Sequence, residues 1–444
     1  MPDRHIAVAL SGGGHRASLF GLGSMLYLMD AGKGPEIATV SSVSGGSITN
    51  GWMAATGNIN DTSADEFDDQ ASAFATKIAL GGTLWADWMT YGLLALIAAI
   101  VIGAAALIWA TNAVAAWIIV VGAAFLVGLV AKQRSRVVRH AFDSAMFKKR
   151  KLADTHSIVT HVMCAADLQT AETVYFSGDF VYSYRTGVGV PGDLSLSTAV
   201  QASACLPGAF NPVSLPINQH RFPKHPGFEK FLLTDGGAYD NMASEWILRV
   251  LRGFDHPRHP LSVDEAIVVN SSAPLDVESQ GSVHWPVVGE ITSLLAAKDV
   301  LYDQTTAVRR RYLNSLFVTD ARIDGTIVQI NRTPYDLPDR FIPKDDATKD
   351  DEAAPAAGEP TEDAKAARAR AVVALLDGAG GRTYWKTVAE ASAAVGTTLS
   401  RLEAERARDL IRHAYTVTMA NCHVLLDYPL LPVPTDERTS RWVD

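Results

Sequence analysis

Two short apolar runs near the start of the chain, within His5–Leu10 and Ala38–Val43, have the length and β-branched content of buried strands. Each is followed by a glycine-containing turn. Segments with apolar residues at helical spacing come next, Arg16–Asp30 and Ser47–Ala55. Strand, tight turn, helix, repeated, predicts a parallel sheet covered on both faces. Later runs predict strands at Ile158–Ala165, Phe231–Thr234, Ala266–Asn270 and Thr326–Ile330. Helices are expected at Ser197–Ala204, Ser244–Arg252, Val287–Ser315 and Leu399–Leu425. No internal repeat is present.

The pattern changes between Trp88 and Ala131, where no residue is charged. Tyr91–Ala110 and Ala113–Ala131 each approach the roughly 20 apolar residues that cross a bilayer. One continuous helix would run about 60 Å, too long for one crossing, and Thr111-Asn112 is the natural turn between two passes. Trp109 and Trp117 flank that turn, while Trp85, Trp88 and Tyr91 flank the entry, as interfacial aromatic residues do. Lys132, Arg134, Arg136 and Arg139 follow, then Lys148–Lys151, so the positive-inside rule turns both ends to the cytoplasm. The expectation is a multi-pass protein with two spans; a hairpin buried in a soluble core, or an apolar lid, is the alternative.

Composition narrows the reading. Hydrophobic residues make up 48% of 444, enough for a sizeable core. The net charge of -9 is unevenly spread, with an acid-rich, Ala- and Pro-containing stretch at 343–366 that predicts a disordered surface insertion. No broad basic face argues for nucleic acid. Cys164, Cys205 and Cys422 offer no disulfide framework or zinc spacing, and no metal or organic cofactor is implied. The first strand begins within a few residues of Met1, leaving no room for a signal peptide ahead of it.

Three motifs carry chemistry. Ser44 lies in Ser42-Val43-Ser44-Gly45-Gly46, directly after an apolar strand and before a helix, where a tight turn pushes a hydroxyl out of the sheet. Ser42 occupies the place of the first glycine in G-x-S-x-G; Ser41, Ser42 and Ser47 are rival nucleophiles without the elbow spacing. Gly12, Gly13 and Gly14 expose backbone N–H groups at a helix start, donors suited to an oxyanion, and Arg16 adds a positive charge that would hold a phosphate or support the anion. Gly12-x-Gly14-x-x-Ala17 also satisfies a dinucleotide fingerprint, but the next strand ends in Ser41-Ser42 with no acid for a ribose. Asp235-Gly236-Gly237 follows another apolar run and offers a carboxylate base, although Asp-Gly-Gly turns are common without function. His161 lies in an apolar strand and His220, His225, His256 and His259 in proline-rich loops, and they suggest no triad.

Taken in order, Ser11–Ala17, Ser42–Gly46 and Asp235–Gly237 resemble the patatin-like phospholipase family. Ala166–Thr170 is similar to its A-T-D-L-x-T-G stretch. Ala202–Phe210 is similar to its A-S-x-A-x-P-x-x-F segment, with Cys205 where the family has a second alanine, and Asp240-Asn241 follows the Asp-Gly-Gly turn as it often does there. The glycine loop, Ser-Gly-Gly-Gly-x-Arg-Ala, is closer to the cytosolic phospholipase A2 branch than to the plant form. The resemblance implies an α/β fold, a three-layer α/β/α sheet; the apolar stretch read above as a transmembrane helical hairpin is an insertion outside the family core. The resemblance further implies a Ser–Asp dyad of Ser44 and Asp235, an oxyanion loop of Gly12, Gly13 and Gly14, and Arg16 on the family's basic position.

The expected organisation is a catalytic domain over 1–80 and 152–342, the hairpin at 88–131, the acidic insertion at 343–366, and a C-terminal helical part at 367–444 packed on the catalytic domain. The expected activity is membrane-anchored lipid acyl hydrolysis through an acyl-enzyme, calcium-independent, with membrane lipid as substrate and the bilayer as partner. The alternatives are acyl transfer on the same fold and a catalytically silent membrane-tethered interaction module.

Overall fold

The computed structural model describes residues 5–207, 209–272, 286–343 and 362–443. Among these, ten strands form one mixed sheet: β1 (Ile6–Leu10), β2 (Ile37–Ser42), β3 (Thr160–Asp167), β4 (Glu172–Phe176), β5 (Val181–Ser183), β6 (Gly187–Gly189), β7 (Val213–Pro216), β8 (Lys230–Asp235), β9 (Glu265–Asn270) and β10 (Asp324–Gln329). Their order is β10-β9-β1-β2-β3-β4-β5-β6, with β8 between β3 and β7.

The half from β10 to β3 is parallel, as the strand-turn-helix pattern requires. The other half corrects the all-parallel expectation, because β4, β5, β6, β7 and β8 pair antiparallel. Short connections such as Leu168–Ala171 between β3 and β4 permit only a hairpin, since a parallel return needs a long crossover.

Helices α1 (Gly14–Asp30) and α2 (Gly45–Thr56) return the chain from β1 and β2; α3 (Ala64–Thr76) precedes the apolar pair α4 (Trp88–Trp109) and α5 (Ala113–Ala131); α6 (Arg134–Phe142) follows it. Next come α7 (Leu196–Ser203), α8 (Gly237–Asp240), α9 (Glu245–Leu251), α10 (Pro286–Thr319), α11 (Glu362–Asp377), α12 (Gly381–Ala393), α13 (Ala404–Leu426) and α14 (Asp436–Trp442). Alternation along each strand separates two cores. Ile6, Val8 and Leu10 of β1 pack into one with α1, α2 and α13; Ala7 and Ala9 face the other, with Trp246 and Leu313. Those small residues leave room for the indole, whose Nε1 donates to Thr39 Oγ1 at 2.9 Å.

Helices α4 and α5 stand outside both cores. They are 22 and 19 residues long, about 33 and 28 Å, long and apolar enough to cross a membrane, and their most apolar windows have no buried residue. The alternative of a hairpin buried in a soluble core is therefore not met. The stretch 343–366 lies mostly outside the described residues, but its end, from Glu362, opens α11. The helix expected from Leu399 begins only at Ala404, because the preceding residues are held elsewhere. His15 N–H donates to Thr398 O at 2.8 Å and Thr83 N–H to Leu399 O at 3.1 Å.

Candidate active site

The register of β3 sets the site. One edge of β3 pairs with β4 from Met163 to Asp167. The other edge is shared: β2 occupies it from Thr160 to Met163, and β8 takes over from Ala165 to Asp167. Ser42 stands opposite Met163, so Ser44, two residues on, reaches the level of Ala165, which is also the partner of Asp235. The turn that carries Ser44 and the strand that carries Asp235 thus end at the same level of β3, at the notch where one strand leaves and another arrives.

Backbone contacts close this notch. Ser203 O accepts from Ser44 N at 3.2 Å and from Gly236 N at 3.1 Å. A Cβ on Gly236 would lie 3.2 Å from Val43 Cγ2, so the ends of β2 and β8 touch. Ser44 itself has φ +51°, a strained conformation for a non-glycine residue, of the kind found at functional turns. No hydrogen bond joins Ser44 Oγ to another described residue; in unliganded sites such bonds are often long and tighten with substrate. Asp235 is buried and its Oδ1 accepts Gly237 N–H at 2.8 Å. Burial and this neighbouring carboxylate push the Cys205 thiol up to about 12.

A buried polar chain lies beneath the elbow. Asn50 Nδ2 donates to Ser42 Oγ at 2.9 Å, Ser42 Oγ meets Ser47 Oγ at 2.9 Å, Ser47 Oγ meets Ser203 Oγ at 2.8 Å, and Ser203 Oγ donates to Cys164 O at 2.6 Å. This explains how Ser42 stands where G-x-S-x-G has glycine: its hydroxyl is paired, so its burial carries little penalty. Ser47 and Ser42, the rival nucleophiles, are occupied here, and Ser41 Oγ donates to Ala243 O at 2.7 Å.

The glycine loop packs directly on the elbow. A Cβ at Gly45 would lie 2.0 Å from Gly14 O, so the N-termini of α1 and α2 face one another. Gly12 N–H is committed to Asn241 O at 3.0 Å and is not available to an anion. Among the described residues the N–H groups of Gly13, Gly14 and Gly45 have no acceptor. Two facing helix starts with unpaired donors are an arrangement that favours a negative charge.

Arg16 is almost wholly buried. Its Nε donates to Ser271 O and its Nη1 to Val395 O, and burial lowers its pKa to about 10. No carboxylate pairs with it among the described residues, and Nη2 lies 3.0 Å from where a Gly13 Cβ would sit. The next residue back, His15, is neutral: burial lowers it to about 4. Since Ser400 O accepts only, His15 Nδ1 carries the proton (2.7 Å), and Nε2 accepts from Thr83 Oγ1 at 2.7 Å. His161, within β3, is held by Asn50 Oδ1 and lowered to about 3 by burial, a core residue.

Two residues not singled out in the sequence matter here. Ser203 joins the elbow to the Asp-Gly-Gly turn, as described. Asn241 Oδ1 lies 2.3 Å from a Cβ on Gly12 and 2.6 Å from one on Gly237, so it separates the two glycine turns, while Nδ2 donates to Ser272 Oγ. The pattern Ala-Ser-x-Ala and the pair Asp240-Asn241 were the available signals. Among the described residues no cluster of His, Cys, Asp or Glu is arranged to hold a metal ion.

Residues 8–244, just over half of the chain, match the model of the family described as patatin-like phospholipase. No curated protein matches the sequence. Similar solved structures include human GIVD cytosolic phospholipase A2, at 11% identity, covering 62% of this chain and 44% of that one with a TM-score of 0.39. Another is the same human enzyme in complex with methyl gamma-linolenyl fluorophosphonate, at 13% identity, 62% and 41% coverage and TM-score 0.34. VipD from Legionella pneumophila shows 15% identity, 67% and 53% coverage and TM-score 0.27. The chain spans about half the length, or less, of each of these proteins.

Proposed function

The chain belongs to the patatin-like phospholipase family, and from that premise we propose that it is a membrane-anchored serine lipid acyl hydrolase with Ser44 as nucleophile and Asp235 as base. The observation that carries the reading is the shared Ser203 carbonyl, which fixes the elbow N–H and the Gly236 N–H on one oxygen. Ser44 Oγ attacks the ester carbonyl as Asp235 takes its proton. The oxyanion forms between the N–H groups of Gly13, Gly14 and Gly45, each such donor contributing about 2.7–4 kcal/mol to the transition state. Gly12 serves by having no side chain. Asp235 then returns the proton to the leaving alcohol, and water, deprotonated by the same carboxylate, releases the fatty acid from the acyl-enzyme.

Arg16 supports the anion from behind the loop, its buried charge paired with no carboxylate among the described residues. The hairpin of α4 and α5 enters the bilayer and the basic segment after it stays on the cytoplasmic side, which sets the catalytic domain at the lipid surface. The exposed Trp88 at the base and Trp109 and Trp117 at the tip, each more than two-thirds exposed, support an interfacial belt at both levels.

The test is fatty-acid release from mixed phospholipid and neutral-lipid micelles by wild type, Ser44→Ala and Asp235→Asn. Loss in both folded variants supports the dyad. A wild type that neither releases fatty acid nor reacts with a fluorophosphonate would instead be the silent membrane module.

A further inference from the structure

The apolar hairpin is tied to both halves of the site. Its first stem, Gly82–Trp85, lies against the strap Thr398–Arg401: Thr83 N–H donates to Leu399 O, Trp85 Nε1 to Ser400 Oγ at 2.9 Å, and a Cβ on Gly82 would meet Arg401 N at 2.6 Å. The other side of that strap touches the glycine loop. Thr398 O lies 2.5 Å from a Gly14 Cβ, accepts His15 N–H, and Ser400 O holds the His15 ring, whose second nitrogen takes the Thr83 hydroxyl.

The second stem follows α5. Asn211 Nδ2 donates to Lys132 O at 3.0 Å, Arg134 Nη2 donates to Asn211 Oδ1 at 2.8 Å, and Ser135 Oγ donates to Asn211 O at 2.9 Å. Asn211 O also accepts the Cys205 thiol, and Cys205 O accepts both Asp235 N–H and the Thr234 hydroxyl at 3.0 Å. The stems are joined to each other where Asp87, which caps α4, meets His140 Nδ1 at 2.7 Å.

We infer that Thr83 and Asn211 are positioning residues through which the hairpin holds the glycine loop and Asp235 in register, so that its seating in a bilayer bears on catalysis as well as on anchoring. This rests on the reading of the site as a serine acyl hydrolase. The two linkages start from stems joined by the Asp87–His140 contact: the first reaches the oxyanion donors through His15, the second reaches the carboxylate through Cys205. A tilt of the hairpin therefore moves both sets of contacts together, a discrete route for coupling rather than mere proximity.

The experiment uses full-length protein in phosphatidylcholine vesicles. It measures hydrolysis of p-nitrophenyl butyrate, fluorophosphonate labelling of Ser44, vesicle flotation and thermal unfolding for wild type, Thr83→Val, Thr83→Ser and Asn211→Ala. The expected result is a kcat about tenfold lower in Thr83→Val and Asn211→Ala, with KM, flotation and midpoint near wild type. Thr83→Ser, which keeps the hydroxyl, should retain activity. Unchanged kcat in both disrupting variants, or a loss confined to flotation or KM, would leave the hairpin an anchor and overturn the inference. A wild type that neither hydrolyses the ester nor becomes labelled would instead overturn the hydrolase reading itself, and the inference with it.

Discussion

Gly45→Ala tests the geometry of the site more directly than removing a reacting group does. The added methyl would sit 2.0 Å from Gly14 O, 2.7 Å from Gly14 N and 2.8 Å from Gly14 C, all backbone atoms that no rotamer change can move. Restoring an ordinary contact of about 3.5 Å requires the two helix starts to separate by about 1.5 Å. Neither can yield freely, because His15 N–H is bound to Thr398 O and Ser44 N–H to Ser203 O. The displacement falls between the nucleophile and its oxyanion donors. Misplacement by about 1 Å costs on the order of 100-fold, and losing one donor costs about 100- to 1,000-fold. We expect kcat for p-nitrophenyl butyrate to fall at least about 100-fold, with fluorophosphonate labelling slowed alongside it. Overpacking should destabilise the fold by about 1–3 kcal/mol, leaving a cooperative thermal transition to confirm a folded protein. A folded variant with kcat within about threefold of wild type would refute the placement of the glycine loop against the elbow.

Other expectations follow from the same contacts. Ser203→Ala removes the donor to Cys164 O and the bridge to Ser47, costing about 1–3 kcal/mol; an unchanged melting temperature would contradict the buried network. His15, His161 and His413 are buried and lowered to about 4, about 3 and about 4, so the unfolded chain binds more protons below its ordinary histidine value near 6.5. Stability should therefore be constant above that value and fall as pH drops from about 6.5 towards 4; a melting temperature flat across that range would contradict neutral burial. Cys164, Cys205 and Cys422 are buried with thiols pushed up by burial, so Ellman's reagent should titrate none of them until the protein is denatured. Arg16→Lys keeps a charge but loses the fork to Ser271 O and Val395 O, and should lower both the melting temperature and kcat; equal activity would remove Arg16 from the anion pocket.

The parallel half of the sheet was legible because each strand, turn and helix is a local unit. Ile6–Leu10 announces itself by an unbroken apolar run, Ile37–Ser42 by small and β-branched residues in succession, and the motif glycines mark the turns. Of the antiparallel half only β8 was legible, as the apolar run Phe231–Thr234; β5 and β6 are three residues each and owe their existence to neighbours distant in sequence. Glu172–Phe176 carried a usable signal in Thr173-Val174-Tyr175-Phe176, β-branched and aromatic in succession. Leu399–Arg401 of the strap fits a helix by pattern because propensity sees only the chain itself; the strap's backbone groups are taken by the glycine loop and the hairpin stem. Motifs pointed to Ser44, Asp235 and the glycines. What brings them together, the handover from β2 to β8 along β3 and the Ser203 carbonyl, exists only in the register.

Two departures from the family's pattern find physical reasons in the same place. Ser42, in the position of a glycine, adds a hydroxyl to a buried site, and the chain from Asn50 through Ser47 to Ser203 receives it. Cys205, in the position of an alanine, adds a weak donor that Asn211 O accepts, beside the residues that anchor the second stem of the hairpin. A glycine and an alanine would leave Ser47 and the Asn211 carbonyl each short of a partner that this fold supplies. The substitutions thus lie where the nucleophile turn and the base-bearing strand are braced, one from below and one from the hairpin. The second of these braces continues through Asn211 to Lys132, so the segment that follows α5 is hydrogen-bonded into the same framework that holds the base-bearing strand.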